Sequence, residues 1–307
     1  MRQTAKRLVE KVLRLAPRTP RHMRGHSLIL AYHNVVPDEL TGYGDRPLHI
    51  PFTGFARQLD LLQRHCRVAP LGEVLAGAAS GDRPVVAITF DDAYLGAVEL
   101  ALPELGRRGL AGTVFVAPGL LGRPSLWWDD LADGPHGLAA AARQRALDAD
   151  EGRDDRIRQA HPGSARRRPL PGVYGIAAEA QVFARAGHGH VTLGAHTWSH
   201  PNLTRIDQAA VMDELTRPLE WLHTAPGPTL AVLAYPYGLT SPPVEAAVAR
   251  AGYTAALLVE GGWYKASEGP WRIPRYNVPA GLSDDGFMLR LSGVLGLSSI
   301  SQLGRPF

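Results

Sequence analysis

Short apolar runs alternate with helical patterns along most of this chain, and no other feature constrains its fold as much. Short apolar runs predict strands, and apolar residues that recur every three or four positions predict helices. The predicted strands cover residues 28–31, 85–90, 112–117, 191–194, 230–235 and 255–259. The predicted helices cover residues 94–108, 177–186, 207–221 and 243–251, with another that ends near Cys66. Such alternation is typical of a parallel sheet covered by helices, so we expect an α/β fold, open or closed into a barrel.

The pattern also suggests how the chain is organised. Its 307 residues are 45% hydrophobic and 20% charged, which is typical of a folded globular protein. Residues 125–175 break the strand–helix alternation, and we interpret them as an inserted helical lid that is partly mobile. We predict a basic arm over residues 1–26, one main domain over residues 27–281 that includes this insertion, and an appendage over residues 282–307.

Positive charge is concentrated at the N-terminus. Residues 1–24 contain eight lysines and arginines and one acid, and Leu8, Val9, Val12 and Leu15 share one helical face. Such an arm could bind an anionic membrane surface or remain a solvated tail. The chain shows no recognisable nucleic-acid-binding module, so no nucleic-acid partner is expected. One cysteine, no signal-peptide pattern and no membrane-spanning run lead us to expect a cytoplasmic protein, with peripheral contact at the inner membrane face as an option.

Polar side chains that can support chemistry follow four of the predicted strands. They are Asp91 and Asp92, His196 and His200, His33, and the run Tyr235-Pro236-Tyr237. The carboxyl ends of parallel strands meet at one rim of the sheet, so we expect these side chains to lie together. Two imidazoles and two carboxylates would supply three metal ligands and one spare carboxylate, which suits metal-assisted hydrolysis. Taken singly, each residue is more often a turn, a cap or surface, and the prediction depends on the combination.

Three segments resemble the motifs of the polysaccharide deacetylase family, the NodB-homology domains of carbohydrate esterase family 4. Residues 89–94 (Thr-Phe-Asp-Asp-Ala-Tyr) resemble the first motif, and residues 194–201 (Gly-Ala-His-Thr-Trp-Ser-His-Pro) the second. Residues 234–238 (Ala-Tyr-Pro-Tyr-Gly) are similar to a variant of the third. The resemblance implies an irregular (β/α) barrel as the catalytic domain. It also implies hydrolytic removal of N- or O-acetyl groups from sugars with a divalent metal, usually Zn²⁺, with Co²⁺ or Ni²⁺ as alternatives.

The resemblance implies a role for each motif residue. Asp92, His196 and His200 would bind the metal, and Asp91 would be the general base that takes a proton from a metal-bound water. The metal lowers the pKa of that water and polarises the acetyl carbonyl. The backbone N–H of Tyr237 is the family's candidate for stabilising the oxyanion.

The chain departs from the family pattern at two positions. The third motif usually begins with an arginine that holds the catalytic aspartate, whereas this chain has Ala234. Arg275 follows a short strand-like run and is our candidate for the missing charge; the alternative is a surface arginine. The family's late general-acid histidine is also absent, because no histidine follows His223. His33 matches an early Tyr-His motif of exopolysaccharide deacetylases, so we predict that it is the acid, the alternative being a structural histidine.

Aromatic residues near the motifs are candidates for sugar contacts, because flat rings suit the apolar faces of pyranoses. We predict that Trp128, Trp198, Tyr235 and Tyr237 bind substrate, although each could instead belong to the core. The expected partner is an acetylated sugar, glycolipid or polysaccharide, and a cytoplasmic location favours a sugar precursor, for example a lipid-linked one. The alternatives are a deformylase or another amide hydrolase on the same fold, and a sugar-binding relative without activity.

Overall fold

The computed structural model describes residues 26–77, 83–132, 134, 136–161 and 169–293. Several predictions concern residues outside these ranges. They are the membrane-binding arm over residues 1–25, the basic run Arg166–Arg168 in the insertion, and the last part of the C-terminal appendage, including Val294 and Leu295.

Seven parallel strands in the described residues close into a barrel. Around the barrel they follow the order β1 (Ser27–Tyr32), β11 (Ile273–Asn277), β9 (Ala255–Gly261), β8 (Thr229–Ala234), β7 (Val191–Ala195), β6 (Gly112–Val116) and β5 (Val85–Asp91). Pairing of β1 with β5, in register from Ser27 opposite Val85 to Tyr32 opposite Phe90, completes the circle. The predicted (β/α) barrel is therefore confirmed, and the open-sheet alternative is wrong.

Four short strands lie outside the barrel circle. They are β2 (Asn34–Val36) and β3 (His49–Pro51), which pair with each other, β4 (Arg67–Val68), which pairs with β5, and β10 (Trp263–Tyr264), which is antiparallel to β1. None was predicted, because a strand of two or three residues has too few positions to display a periodic pattern.

Ten α-helices in the described residues surround the barrel or belong to the insertion. They are α1 (Phe52–His65), α2 (Leu71–Leu75), α3 (Leu102–Arg107), α4 (Trp127–Leu131), α5 (Ala140–Ala149), α6 (Asp154–Ala160), α7 (Glu179–Ala186), α8 (Gln208–Leu222), α9 (Pro242–Ala251) and α10 (Asp284–Leu291). The predicted N-cap of α8 is confirmed, since the Asp207 carboxylate accepts a hydrogen bond from the Ala210 N–H. The predicted helix 94–108 instead contains a π-helical turn, Ala97–Ala101, directly before α3. Pro103 has no N–H to donate to the preceding turn, which accounts for the interruption.

Alternation along β5 determines which of its side chains enter the barrel. Val86, Ile88 and Phe90 pack in the cluster between strands and helices, whereas Val85 and Ala87 belong to a second cluster that includes residues of β1, β6, β8, β9 and β11. Because successive strand residues point to opposite faces, Thr89 and Asp91 continue the inward series. The hydrophobic pattern of one strand therefore carries the first motif into the barrel.

The described part of the insertion packs against the rim of the barrel. Trp127 and Trp128 in α4 are buried. The turn between α5 and α6 accepts hydrogen bonds through the Glu151 and Gly152 carbonyls, from the Asn202 N–H at 2.7 Å and the Tyr237 hydroxyl at 2.9 Å. The expectation that the insertion is a partly mobile lid stays a prediction; its described residues contact the rim through these hydrogen bonds and the two buried rings.

The C-terminal helix α10 packs on the barrel body through the buried side chains of Phe287, Leu289 and Leu291. No helix among residues that the structure describes combines the length and the apolar character needed to cross a bilayer.

Candidate active site

Arg275 and Asp91 form a buried ion pair inside the barrel. Arg275 has no exposed surface, and its two terminal nitrogens donate to the two oxygens of Asp91 at 2.7 and 2.6 Å. It also donates to the Thr89 hydroxyl at 3.1 Å and to the Leu258 carbonyl at 2.6 Å. Burial raises the pKa of Asp91, but the Arg275 guanidinium, together with His196 and His33, outweighs burial and holds that pKa below its ordinary value. Arg275 thus supplies beside Asp91 the positive charge that Ala234 cannot provide.

Asp92, His196 and His200 converge at the ends of β5 and β7. Asp92 Oδ1 lies 3.5 Å from His196 Nε2 and 3.4 Å from His200 Nε2, and the two Nε2 atoms are 3.1 Å apart. All three residues are buried, and Asp92 Oδ1 has no hydrogen-bond partner. Burial raises the pKa of Asp92, as do the nearby Asp91 and Asp129 carboxylates. An unpaired buried carboxylate oxygen facing two imidazole nitrogens is the donor set of a divalent metal such as Zn²⁺, so these residues fit a metal.

A backbone hydrogen bond holds His196 in the tautomer that metal binding requires. His196 Nδ1 lies 2.7 Å from the Ala234 carbonyl oxygen, which can only accept, so Nδ1 carries the proton and Nε2 keeps its lone pair. Burial lowers the pKa of both His196 and His200. Neutral imidazoles bind metals without first losing a proton.

Strained backbone is concentrated in the three motif segments. Six non-glycine residues of the described chain have positive φ. Five lie in the motifs: Asp92 (70°), Ala93 (55°), Thr197 (62°), His200 (61°) and Tyr237 (59°). Each such residue costs about 1–3 kcal/mol and persists only where its surroundings enforce it. The two histidines therefore converge through a strained turn, and not through a helix.

Aromatic rings form one side of the site. The His200 ring lies 5.2 Å from the Trp128 ring and 4.6 Å from the Tyr237 ring, centroid to centroid. These residues, with Trp127 and Gly152, line a narrow recess. Half-buried Tyr237 therefore lies where the sequence predicted a substrate contact, whereas Trp128 is buried in the main apolar core; the binding role of both stays a prediction.

Two other predicted substrate contacts are placed differently. Tyr235 is completely buried in the main apolar core, because it follows Ala234 on the alternate face, and it cannot reach a substrate. Trp198 is half-buried, but the Arg217 guanidinium lies 3.8 Å from the centroid of its ring. One face of Trp198 is thus covered by protein, which disagrees with an open stacking platform.

His33 lies directly after β1 and is half-buried. Its Nδ1 has no hydrogen-bond partner in the structure. Burial lowers the pKa of His33 to about 4, although the Asp91 carboxylate opposes the shift. His33 is therefore neutral at pH 7 and must take up a proton before it can donate one.

Sequence reasoning missed a buried polar chain behind the aromatic rings. Asn34 Nδ2 lies 3.1 Å from His49 Nδ1, His49 Nε2 lies 2.8 Å from Asp129 Oδ1, and Asp129 Oδ2 accepts from the Tyr94 hydroxyl at 2.6 Å. Tyr94 in turn accepts from Trp128 Nε1 at 2.7 Å. Burial raises the pKa of Asp129, but His49 and these hydrogen bonds outweigh burial and lower it. No local pattern could have linked these residues, because they come from four separate segments.

The family model described as polysaccharide deacetylase matches residues 78–256. A deacetylase from Streptococcus pyogenes, PplD in complex with acetate, superposes with a TM-score of 0.61 at 18% identity, covering 87% of this chain and 98% of that chain. IcaB from Ammonifex degensii superposes with a TM-score of 0.58 at 19% identity, covering 88% of this chain and 97% of that chain. A de-N-acetylase from Aggregatibacter actinomycetemcomitans superposes with a TM-score of 0.58 at 14% identity, covering 86% of this chain and 99% of that chain.

At these identities the structural likeness shows the fold alone, and no curated protein matches the chain significantly. The family match carries the enzymatic class and confirms the prediction of a hydrolase that deacetylates carbohydrates. Because that match spans more than half of the chain, the protein belongs to the polysaccharide deacetylase family.

Proposed function

We propose that this protein is a metal-dependent enzyme that hydrolyses N-acetyl groups on a carbohydrate or glycoconjugate. The observation that carries the proposal is the convergence of Asp92 Oδ1, His196 Nε2 and His200 Nε2 beside an Asp91 carboxylate gripped by Arg275. Membership in the family implies carbohydrate deacetylation. The dependence on a metal and the choice of N-acetyl groups are the parts that we propose.

Asp92, His196 and His200 would hold the metal. Two imidazoles and a carboxylate suit Zn²⁺ best, with Co²⁺ or Ni²⁺ as alternatives. When bound, such an ion lowers the pKa of a water molecule and polarises the acyl carbonyl.

The chain's own residues then divide the remaining work. Asp91 accepts a proton from the attacking water, and its bidentate pair with Arg275 fixes its orientation and keeps it ionised. The backbone N–H of Tyr237, held at φ 59°, stabilises the oxyanion. His33 is neutral at pH 7, so it first takes up a proton and then donates that proton to the leaving amine.

Two observations support an N-acetyl substrate. An amine leaving group needs a proton donor, and His33 lies at the same rim as Asp91. One protein of the same fold is named a de-N-acetylase. We propose an acetylated sugar, glycolipid or polysaccharide as substrate, with a cytoplasmic sugar precursor preferred.

The test compares wild type with three variants for bound metal and for acetate released from N-acetylglucosamine oligomers. We expect near-stoichiometric metal and acetate release in wild type, and loss of both in His200→Ala. Asp91→Asn should keep the metal and lose about 10²–10⁴-fold in turnover, the usual contribution of a general base. His223→Ala, which removes an exposed histidine after α8, is the control and should lose neither.

Other outcomes would redirect the proposal. Formate release without acetate release would indicate a deformylase. A wild-type protein that takes up no Zn²⁺, Co²⁺ or Ni²⁺ and releases no acid would contradict the proposal and favour a sugar-binding relative without activity.

A further inference from the structure

Helix α8 lies against the segment that carries both ligand histidines, residues 196–200, here called the ligand loop. Thr197 and His200 in this loop both have positive φ. The loop contains no glycine that would adopt this conformation without strain. Inside the loop, the Thr197 hydroxyl accepts a hydrogen bond from the His200 N–H at 3.0 Å, and contacts from outside the loop add to this support.

Glu214 of α8 makes three hydrogen bonds to the ligand loop. Its Oε2 accepts from the backbone N–H groups of Trp198 and Ser199, each at 2.8 Å. Its Oε1 accepts from the Ser199 hydroxyl at 2.6 Å. One half-buried carboxylate thus satisfies two consecutive backbone donors midway between His196 and His200.

Arg217, one helical turn further along α8, makes a second contact with the same loop. Its guanidinium lies 3.8 Å from the centroid of the Trp198 ring, which is the geometry of a cation–π contact. On the other side of the loop, the Trp198 carbonyl accepts from the Gly119 N–H at 2.8 Å. A side chain at position 119 would meet Trp198 Nε1 at 2.7 Å, so the loop is closely confined on that side too.

We propose that Glu214 is a positioning residue for the metal site. It holds the ligand loop in the strained turn that directs His196 and His200 toward Asp92, and Arg217 assists by fixing Trp198. Its hydrogen bonds go to the Trp198 and Ser199 N–H groups and the Ser199 hydroxyl, and none goes to a ring nitrogen of His196 or His200, so Glu214 acts through the loop. This inference rests on the proposed metal-dependent function.

The test compares Glu214→Ala and Glu214→Gln with Glu220→Ala. Glu220 is an exposed residue of the same helix, so this control removes the same charge without touching the loop. Two quantities are measured: the Zn²⁺ dissociation constant, by competition with a chelator, and amide hydrogen exchange at Trp198 and Ser199 in metal-free protein. Thermal unfolding of the metal-free variants checks that each one folds.

We expect Glu214→Ala to weaken Zn²⁺ binding about 10–100-fold, the usual effect of losing a group that orients metal ligands, and to speed exchange at both amides. Glu214→Gln keeps an acceptor oxygen for the two N–H groups, so it should fold and lose less affinity. Glu220→Ala should match wild type in both quantities.

Zn²⁺ binding that is unchanged in Glu214→Ala would overturn the inference, even with faster exchange, because Glu214 would then be merely structural. A wild-type protein that binds no Zn²⁺ would instead overturn the proposed function and, with it, the premise of this inference. The two failures are therefore distinguishable from the wild-type measurement alone.

Discussion

Arg275 joins three segments of the barrel through hydrogen bonds of one buried side chain. It binds both oxygens of Asp91 and the Thr89 hydroxyl on β5, and it donates to the Leu258 carbonyl on β9. Phe115 lies beside the guanidinium, 5.5 Å from ring centroid to Cζ. A charge enclosed in this way is stable only while its partner is present, so the ion pair couples stability to the geometry of the proposed base.

Replacing Arg275 by methionine should therefore damage both folding and turnover. We expect the free energy of unfolding to fall by about 3–5 kcal/mol, because the Asp91 charge is left buried and unpaired, and acetate release to fall with it. Urea denaturation and acetate assays measure the two effects. Arg272→Met is the matched control: its pair with Glu245 is largely exposed on the arginine side, and such pairs contribute at most about 1 kcal/mol. Full activity in Arg275→Met would remove this residue from the mechanism.

At the residue scale, the sequence predicted correctly that the motif residues lie together at one rim, while their chemical roles stay predictions; it predicted the positions of the aromatic side chains less well. Asp91, Asp92, His196 and His200 follow strands directly, so strand position alone brings them to the rim. Tyr235 also follows a strand, but its exposure depends on the side to which the chain turns after β8. Contacts of this kind depend on three-dimensional packing, which no local pattern encodes.

The turn between α5 and α6 brings the insertion into contact with the third motif. Gly152 has φ +66°, and a Cβ there would lie 2.8 Å from Tyr237 Cε2 and 3.0 Å from the Asn202 nitrogen. The Gly152 carbonyl also accepts from the Tyr237 hydroxyl. The insertion can approach the rim this closely because position 152 has no side chain.

Gly152→Ala should separate these two surfaces. The left-handed φ alone costs a non-glycine residue about 1–2 kcal/mol, and overpacking against Tyr237 adds about 1–3 kcal/mol. Gly122→Ala is the control, since Gly122 has φ +76° with nothing within 4 Å of its Cβ position, so it carries only the first cost. Urea denaturation of both variants measures the difference, and equal losses would show that the contact with Tyr237 is not tight.

Helix α3 carries a carboxylate whose charge should stabilise the fold in a pH-dependent way. Hydrogen bonding from Arg107 outweighs burial, and with Arg108 it lowers the pKa of Glu104 to about 2. Because the folded-state pKa lies below the ordinary value, the stabilisation is present above the unfolded pKa and is lost as pH falls through the folded one. We expect Glu104→Gln to be less stable than wild type at pH 7 and nearly equal near pH 2.

Urea denaturation of wild type and Glu104→Gln between pH 7 and pH 2 measures the gap, which is the difference in their free energies of unfolding. Exposed Glu220→Gln is the control. A gap that stays constant with pH would contradict the assigned cause. The opposite trend, with the gap widening as pH falls, would mean that the folded state raises the pKa of Glu104.

Element boundaries were predictable wherever a pattern runs over several turns. Helix α8 and its Asp207 cap match the prediction closely because amphipathic spacing and capping are local properties. The π-helical turn at Ala97–Ala101 and the pair of β2 with β3 were not predicted. These features depend on a single proline or on a partner segment, and neither contributes to sequence periodicity.

Over the whole molecule, the site is assembled from strand ends that are far apart in sequence. His33 follows β1, Asp91 ends β5, His196 follows β7, and Arg275 lies in β11. The alternation of strands and helices predicted a shared rim, but it left open whether the sheet closes. Closure depends on β1 pairing with both β5 and β11, which is a property of the completed sheet.

An ion held between the ends of β5 and β7 should therefore stabilise the whole barrel. A ligand that binds only the folded state adds about 2.7 kcal/mol at a concentration of 100 times its dissociation constant. We expect Zn²⁺ to raise the thermal unfolding midpoint of wild type, and EDTA to reverse the shift. His196→Ala removes one ligand and should show no shift, whereas His223→Ala should behave as wild type. Differential scanning fluorimetry measures the unfolding midpoints of the three proteins. If Zn²⁺ leaves the midpoint of wild type unchanged, Asp92, His196 and His200 do not form a metal site in the folded protein.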